Sequence, residues 1–287
     1  MLLIKSIRNS KLLRAPLLAA TSACLAPLTT RIPLLRRAAY DTKPMPYLVV
    51  GDREQYVVST KDQVIGRELF LHGEFDIQKL ESALSILRRE GNPTPTHLVD
   101  VGANIGTIVI PALVRGLAES ATAIEPHPDN VRLLHANLAL NGVAGRVRVL
   151  EQAVGPDADA ILLLQESLTN SGNHSIGRNG IPVPSTRLDD VEYPRADSLL
   201  WMDIEGYEGH ALRGATQLLA AGIPVVVEFN PELLDASNGF ALLREALKDR
   251  LLFDLKKPHA GPTSLDDLSG QYAGGESFTD ILAIVPT

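Results

Sequence analysis

Asp100-Val101-Gly102-Ala103-Asn104-Ile105-Gly106-Thr107, with Glu125-Pro126 beginning 25 residues after Asp100, is the stretch that decides the fold. The apolar run from His97 to Val101 reads as a short buried parallel strand. The apolar stretch from Ile105 to Leu117 reads as the helix after it, so the glycines fall on the strand-to-helix turn. In an open α/β sheet that turn is where ligands bind. Gly102 and Gly106 let the backbone bend and approach a ligand without a Cβ in the way, and Asn104 tolerates left-handed geometry. Asp100 ends its strand facing the cleft. Glu125, closing the next apolar run Ala121 to Ile124, is placed to accept hydrogen bonds from both hydroxyls of a ribose.

Two adenosine cofactors suit such a turn, and the glycine spacing separates them. A dinucleotide fingerprint wants glycines at 102, 104 and 107, but the chain has Gly102, Asn104 and Thr107 there, one match in three. The pattern acid-x-Gly-x-(Gly or Asn)-x-Gly is met in full by Asp100, Gly102, Asn104 and Gly106. It resembles the first motif of class I S-adenosylmethionine methyltransferases, whose cofactor has no pyrophosphate and wants an acid near its amino-acid end. Asp100 supplies that acid. The expected cofactor contacts are Asp100, Gly102, Asn104, Gly106, Glu125, Pro126 and Gln152. An NAD-dependent oxidoreductase is the competing reading.

A second constellation lies a hundred residues on, in Trp201-Met202-Asp203-Ile204-Glu205-Gly206-Tyr207-Glu208-Gly209. Asp203 ends an apolar strand and Glu205 follows two positions later, so both side chains point the same way if the backbone stays extended. Burying neighbouring carboxylates without partners is costly and implies a ligand. Glu208 falls in the first turn of the next helix, where negative charge is favoured, so a capping role competes with a chemical one. Glu228, ending the run Pro224 to Phe229, can join the same edge. Magnesium or calcium would accept Asp203, Glu205 and Glu228, but spacing in sequence does not show convergence, and no metal site is assigned. His127 and His135 lack the partner spacing of zinc helices.

With these motifs in hand, the chain resembles the FkbM family of S-adenosylmethionine-dependent methyltransferases. The resemblance rests on Asp100 to Gly106, Glu125-Pro126, Met202 to Glu208, the stretch Val183-Pro184-Ser185-Thr186-Arg187-Leu188-Asp189-Asp190, and Gly214, and it covers roughly residues 97 to 230. Trp201-Met202 stands where the family often has an apolar residue followed by lysine. The resemblance implies methyl transfer from S-adenosylmethionine to a hydroxyl of a small molecule or saccharide. Asp203 and Glu205 are the expected catalytic or orienting groups, with His174 in Ser171-Gly172-Asn173-His174-Ser175 as the runner-up. A methyltransferase-like protein that modifies a protein or assists assembly in mitochondria is the alternative.

Alternation of apolar runs predicts an α/β fold, a Rossmann-like doubly wound and mostly parallel sheet with helices on both faces. Its strands are His97 to Val101, Ala121 to Glu125, Val147 to Val154, Ser198 to Asp203 and Pro224 to Phe229. Helices start near Ile105, Asp129 and Tyr207. Pro128 and Asn141-Gly142 bound the second helix; Asn130 and Asn137 on it face either the cofactor or solvent. Ahead of this core (97–287), residues 41–96 read as a strand pair, Tyr47 to Ser59 with Val64 to Phe70, and a covering helix from Asp76 to Glu90, N-capped by Asp76 and placed as a substrate-side lid.

Charge divides the chain. Residues 1–40 hold seven of its 27 basic side chains and no acid, whereas residues 41–287 hold the other 20 with all 34 acids, a net −14. A body that acidic has no footprint for nucleic acid as a bulk partner. The Arg- and Leu-rich leader, ending in Arg36-Arg37-Ala38-Ala39-Tyr40, resembles a mitochondrial transit peptide; in a bacterium the expected location is the cytoplasm. A signal cleaved at Ala23-Cys24 is the rival reading. The longest uncharged run, Ala15 to Thr30, is 16 residues and contains two prolines, short of a membrane span. Cys24, the single cysteine, excludes an intramolecular disulfide and a cysteine-based zinc site.

Overall fold

The computed structural model of the chain describes residues 33–41, 45–274 and 278–286. Before the core come α1 (Pro33–Asp41), the hairpin β1 (Tyr47–Val50) and β2 (Tyr56–Ser59), α2 (Ile65–His72) and α3 (Ile77–Arg89). The first half of the core runs β3 (His97–Val101), α4 (Val109–Val114), β4 (Ser120–Ile124), α5 (Pro128–Leu140) and β5 (Val147–Leu150). Four short strands follow, β6 (Ala153–Val154), β7 (Ile161–Gln165), β8 (Ser175–Gly177) and β9 (Ile181–Thr186). The second half is β10 (Ser198–Met202), α6 (Glu208–Arg213), α7 (Thr216–Ala220), β11 (Val225–Phe229), α8 (Pro231–Ala236), α9 (Phe240–Leu247), β12 (Leu251–Asp254), α10 (Leu265–Gln271) and β13 (Thr279–Ile284).

The main sheet has seven strands in the order β12-β13-β11-β10-β3-β4-β5. β11, β10, β3, β4 and β5 are parallel, and β13 pairs antiparallel with both β11 and β12. Strands covered on both faces must be apolar throughout. Accordingly Val99, Leu200, Met202, Val225 and Val227 pack into one helical layer, while Leu98, Ala123, Leu199, Trp201 and Val226 pack into the other. The expected doubly wound architecture is present. β6 to β9 form a separate four-stranded sheet, order β6-β9-β7-β8, so the loop carrying His174 hangs from this accessory sheet and not between core strands.

Several expectations are corrected. Val64 to Phe70 is helical: Gly66 passes close under Tyr40 and the Ser59 carbonyl, and the segment buries Ile65, Leu69 and Phe70 at helical spacing. The hairpin strands therefore pair with one another, through Tyr47–Ser59 to Val50–Tyr56. α3 packs into the core through Ile77, Leu80, Ala83, Leu84, Ile86 and Leu87, while Asp76 and Lys79 at its start border the space beside the cleft. Asp76 caps nothing with its side chain; it adopts φ 57° and pairs with Lys79 at 2.9 Å. α4 is shorter than Ile105 to Leu117 because Asn104 and Gly106 hold φ 50° and 96°, which delays the helix, and Gly116 at φ 70° ends it.

Residues 1–32 of the basic leader lie outside the described residues. Its end is docked: Arg36 stacks over the Phe70 ring and donates to the Phe70 carbonyl, and the Tyr40 hydroxyl lies 2.8 Å from the Asp62 carbonyl, so α1 runs through residue 40 onto the body. No helix among the described residues is long and apolar enough to cross a membrane.

Asn137 faces neither cofactor nor solvent. It is fully buried, accepting from Val57 N at 2.7 Å and donating to Ile105 O at 2.9 Å, while Asn141 one turn on makes the same exchange with Gln55. The two side chains act as a substitute strand that joins β2 to α5. Because Asn137→Ala strands a buried N–H and a buried carbonyl, it should lower stability by about 1–3 kcal/mol; Asn141→Ala, at a more exposed pair, should cost less. Urea unfolding of the two variants measures the difference.

Candidate active site

Parallel pairing sets the site. Asp100 lies in register with Trp201 of β10 and Ala123 of β4, so the carboxyl ends of these strands, and the loops leaving them, open on one edge. Gly102 holds φ 83°, and a Cβ there would sit 2.0 Å from the Asp203 carbonyl oxygen; only glycine lets the two loops touch. Gly102 N and Ala103 N both donate to Ile124 O, at 2.9 and 3.1 Å. Glu125 completes the turn. Its Oε2 accepts from Asn104 N and its Oε1 from His127 N, both at 2.8 Å. A carboxylate accepts about four hydrogen bonds, so capacity remains for ligand hydroxyls.

A cleft opens at these strand ends. Every expected cofactor contact except Gly106 lines it: Asp100, Gly102, Asn104, Glu125, Pro126 and Gln152. Gly106 instead packs beneath the turn, where a Cβ would meet Ile110 and Leu134 within 3.0 Å. Of the expected catalytic residues, Asp203 and His174 also line the cleft. Glu205 lies next door, in an adjoining space that shares Ile65, Phe75, Asp76, Gly172 and Asp203 with the first.

Asp203 and Glu205 do not lie along an extended strand. β10 stops at Met202, Glu205 takes φ 56° and Gly206 φ 90°, so the carboxylates are brought together by a turn. Glu208 builds that turn: fully buried, its Oε1 accepts from Ile204 N at 3.0 Å and Gly206 N at 3.3 Å. Its Oε2 is buried without a hydrogen-bond partner. Glu228 joins the group, and carboxylate oxygens of Asp203, Glu205 and Glu228 all lie within 4.8 Å of one another.

Electrostatics follow from burial. Asp100 is 2 % exposed and its Oδ2 has no hydrogen-bond partner. Burial, then repulsion from Asp203 and Glu125, pushes its carboxyl up to about 8. Burial likewise raises Glu125, Asp203, Glu205 and Glu228, with Asp203 repelling the last two. His174 is lowered to about 4 by burial and by His127, which stacks on it at 4.1 Å; its Nδ1 accepts from Ser167 N. It is a neutral wall of the cleft.

Some contributors were not marked in the sequence. Ser171 O accepts from Asn104 Nδ2 at 2.7 Å and Asn130 Nδ2 at 3.1 Å, and Ser171 Oγ donates to Asp62 at 2.5 Å, which clasps the accessory loop onto the motif turn. Asn130, left open between cofactor and solvent, is buried and lines the cleft. Ile65, Phe75 and Tyr207 add apolar wall. Only Asn130, as a polar residue on the inner turn of a bounded helix, carried a signal.

Sheet order, acid-glycine turn and cleft define the class I methyltransferase fold. Residues 100–251 match the family model described as the methyltransferase FkbM domain. The chain belongs to the FkbM methyltransferase family, and its methyl donor is S-adenosyl-L-methionine. Among solved structures it is similar to the precorrin-6y C5,15-methyltransferase of Geobacter metallireducens GS-15, at 15% identity and TM-score 0.42 over 72% of this chain and 87% of that one. It is also similar to M. jannaschii TYW2 in complex with AdoMet, at 10% identity and TM-score 0.43 over 84% and 85%. The M1A22 tRNA methyltransferase TrmK of B. subtilis is similar at 13% identity and TM-score 0.40 over 72% and 65%. The family assignment rests on the domain match and not on these distant likenesses. No curated protein matches the chain.

The raised carboxyl of Asp100 gives a pH signature. Its folded value, about 8, stands above the ordinary 3.8, so its contribution to stability is complete below about pH 4 and is lost as pH rises through about 8. Thermal unfolding of the cofactor-free chain should therefore show a fall in Tm towards pH 8 that is shallower in Asp100→Asn. Equal slopes in both proteins would mean that Asp100 ionises freely.

Proposed function

We propose that the protein O-methylates a hydroxyl of a small polyhydroxylated molecule or saccharide. The observation carrying this reading is the second space beside the cofactor cleft, walled by Asp203, Glu205, Glu228, Glu232, Asn170, Asn173 and Asn230. Such a wall is rich in hydrogen-bond acceptors, which suits hydroxyl donors. It suits phosphate backbones poorly, as does the net −14 of residues 41–287.

The cleft fits the methyl donor on its own chemistry. Asp100, buried with an unpartnered oxygen, would hold the amino-acid ammonium; Glu125 would accept from the ribose hydroxyls; Gly102 to Asn104 give close backbone approach; and Pro126 and Gln152 complete the wall. The chemistry supplied there is a methyl group on a sulfonium, open to in-line displacement. The protein's task is alignment and removal of one proton. Asp203, shared by both spaces, accepts the hydrogen bond of the acceptor hydroxyl and thereby orients its oxygen toward the cleft. With Glu205 it takes up the proton released as the oxygen–carbon bond forms. Its burial, which raises it above the ordinary carboxylate range, makes it a stronger base once ionised. His174, neutral and engaged with Ser167, lines the cleft as packing.

Asp203→Asn should lower turnover at least about 100-fold, the usual worth of a positioned acid–base group, while leaving S-adenosylhomocysteine affinity within a few-fold by calorimetry. Loss of cofactor binding alone would move Asp203 to the cofactor side. Glu125→Gln should do the reverse, weakening S-adenosylhomocysteine by roughly 10- to 100-fold through the charge-assisted bonds it removes. Transfer of labelled methyl from S-adenosylmethionine to a panel of polyols, glycosides and amines tests the acceptor class; transfer to amines alone would overturn it.

A further inference from the structure

The acidic group at the junction of the two spaces is built from three elements. Asp203 follows β10, Glu205 sits in the left-handed turn, and Glu228 lies in β11, in register with Asp280 of β13. Their oxygens all lie within 4.8 Å of one another, and none of the three side chains has an ion pair among the described residues. Lys79 lines the same space and acts on Asp203, but it is engaged at 2.9 Å by Asp76 and at 2.7 Å by Asp280. A second observation is independent of this crowding. Glu228 is 8 % exposed, and its Oε2, in a residue that lines the space, has no hydrogen-bond partner.

We propose that Asp203, Glu205 and Glu228 form a binding site for an oxygen-seeking divalent cation, magnesium, manganese or calcium, whose remaining positions take hydroxyl oxygens of the acceptor. Ligand oxygens about 2.4 Å from a shared calcium lie no more than about 4.8 Å apart, a limit that all three carboxylates meet. Three protein oxygens leave about three or more positions open on a six- to eight-coordinate ion. Vicinal hydroxyls fill two of them. The ion offsets the mutual repulsion of the carboxylates, and the hydroxyl is then positioned through the ion instead of directly by Asp203. The acceptor half of this inference rests on the proposed function; the ion-binding half does not.

The test uses the full chain after chelator treatment, without acceptor. Manganese titration followed by electron paramagnetic resonance should show a single bound ion per chain. Calorimetry with magnesium and calcium should reveal the same site by competition. Glu228→Gln should weaken binding at least about 10-fold, the lower bound for disturbing a metal's surroundings, and should abolish the rise in Tm that the ion gives wild type. Glu245→Gln, on the exposed face of α9 and outside this space, should bind as wild type does. The Glu228→Gln protein is checked for folding by its own Tm without ion and by S-adenosylhomocysteine binding. Manganese that stays free with wild type, or binds Glu228→Gln equally, overturns the site and leaves the carboxylates sharing a proton. If the ion binds but no hydroxyl compound is methylated, the proposed function fails while the site stands. If hydroxyls are methylated in chelator with no ion bound, the acceptor half of this inference fails while the proposed function stands.

Discussion

Four adjacent strands running the same way must all end on the same edge of the sheet, and in this chain each delivers a carboxylate there. Asp100 from β3, Glu125 after β4, Asp203 after β10 and Glu228 in β11 are neighbours because of parallel register, although 128 positions separate the first from the last. Everything else at the site adapts to that concentration of negative charge in a place that water barely reaches. Glu125 is satisfied by backbone N–H groups, Glu208 by the turn it braces, and Asp280 by Lys79. Asp100 and Glu228, and Glu208 at its second oxygen, are each left with one unpartnered oxygen.

This arrangement works against folding and in favour of ligands. Buried carboxyls that hold their protons are a standing desolvation cost, and a cationic or hydrogen-bond-donating ligand relieves it. The methyl donor brings a positive ammonium and two ribose hydroxyls, the kinds of group such a site lacks. A cleft with this balance is stabilised by what it binds.

The sheet and the donor site were legible because their signals are local. Asp100 to Gly106 states its own turn chemistry, and left-handed φ at Asn104 and Gly102 is what those residue types permit. β3, β4, β10 and β11 were marked by unbroken apolar runs that end in acids. The rest depended on contacts far apart in sequence. Val64 to Phe70 has enough β-branched and aromatic character to read as a strand, but docking of Leu69 and Phe70 beside Tyr40 makes it helical. Asn137 reads as ordinary helix polarity, and only the arrival of β2 gives it partners. The clasp at Ser171 has no sequence signature, since it uses a backbone carbonyl. Convergence of Asp203, Glu205 and Glu228 needed the turn at Gly206 and the neighbouring strand together.

That turn is locked from outside. A Cβ on Gly206 would come within 2.7 Å of the Leu233 carbonyl, so the loop after β10 lies directly on α8, the helix that follows Glu228. The backbone carrying Asp203 and Glu205 and the backbone carrying Glu228 are therefore packed against one another through this contact. The spacing of the three carboxylates is thus set in part from behind, by a helix that contributes none of them.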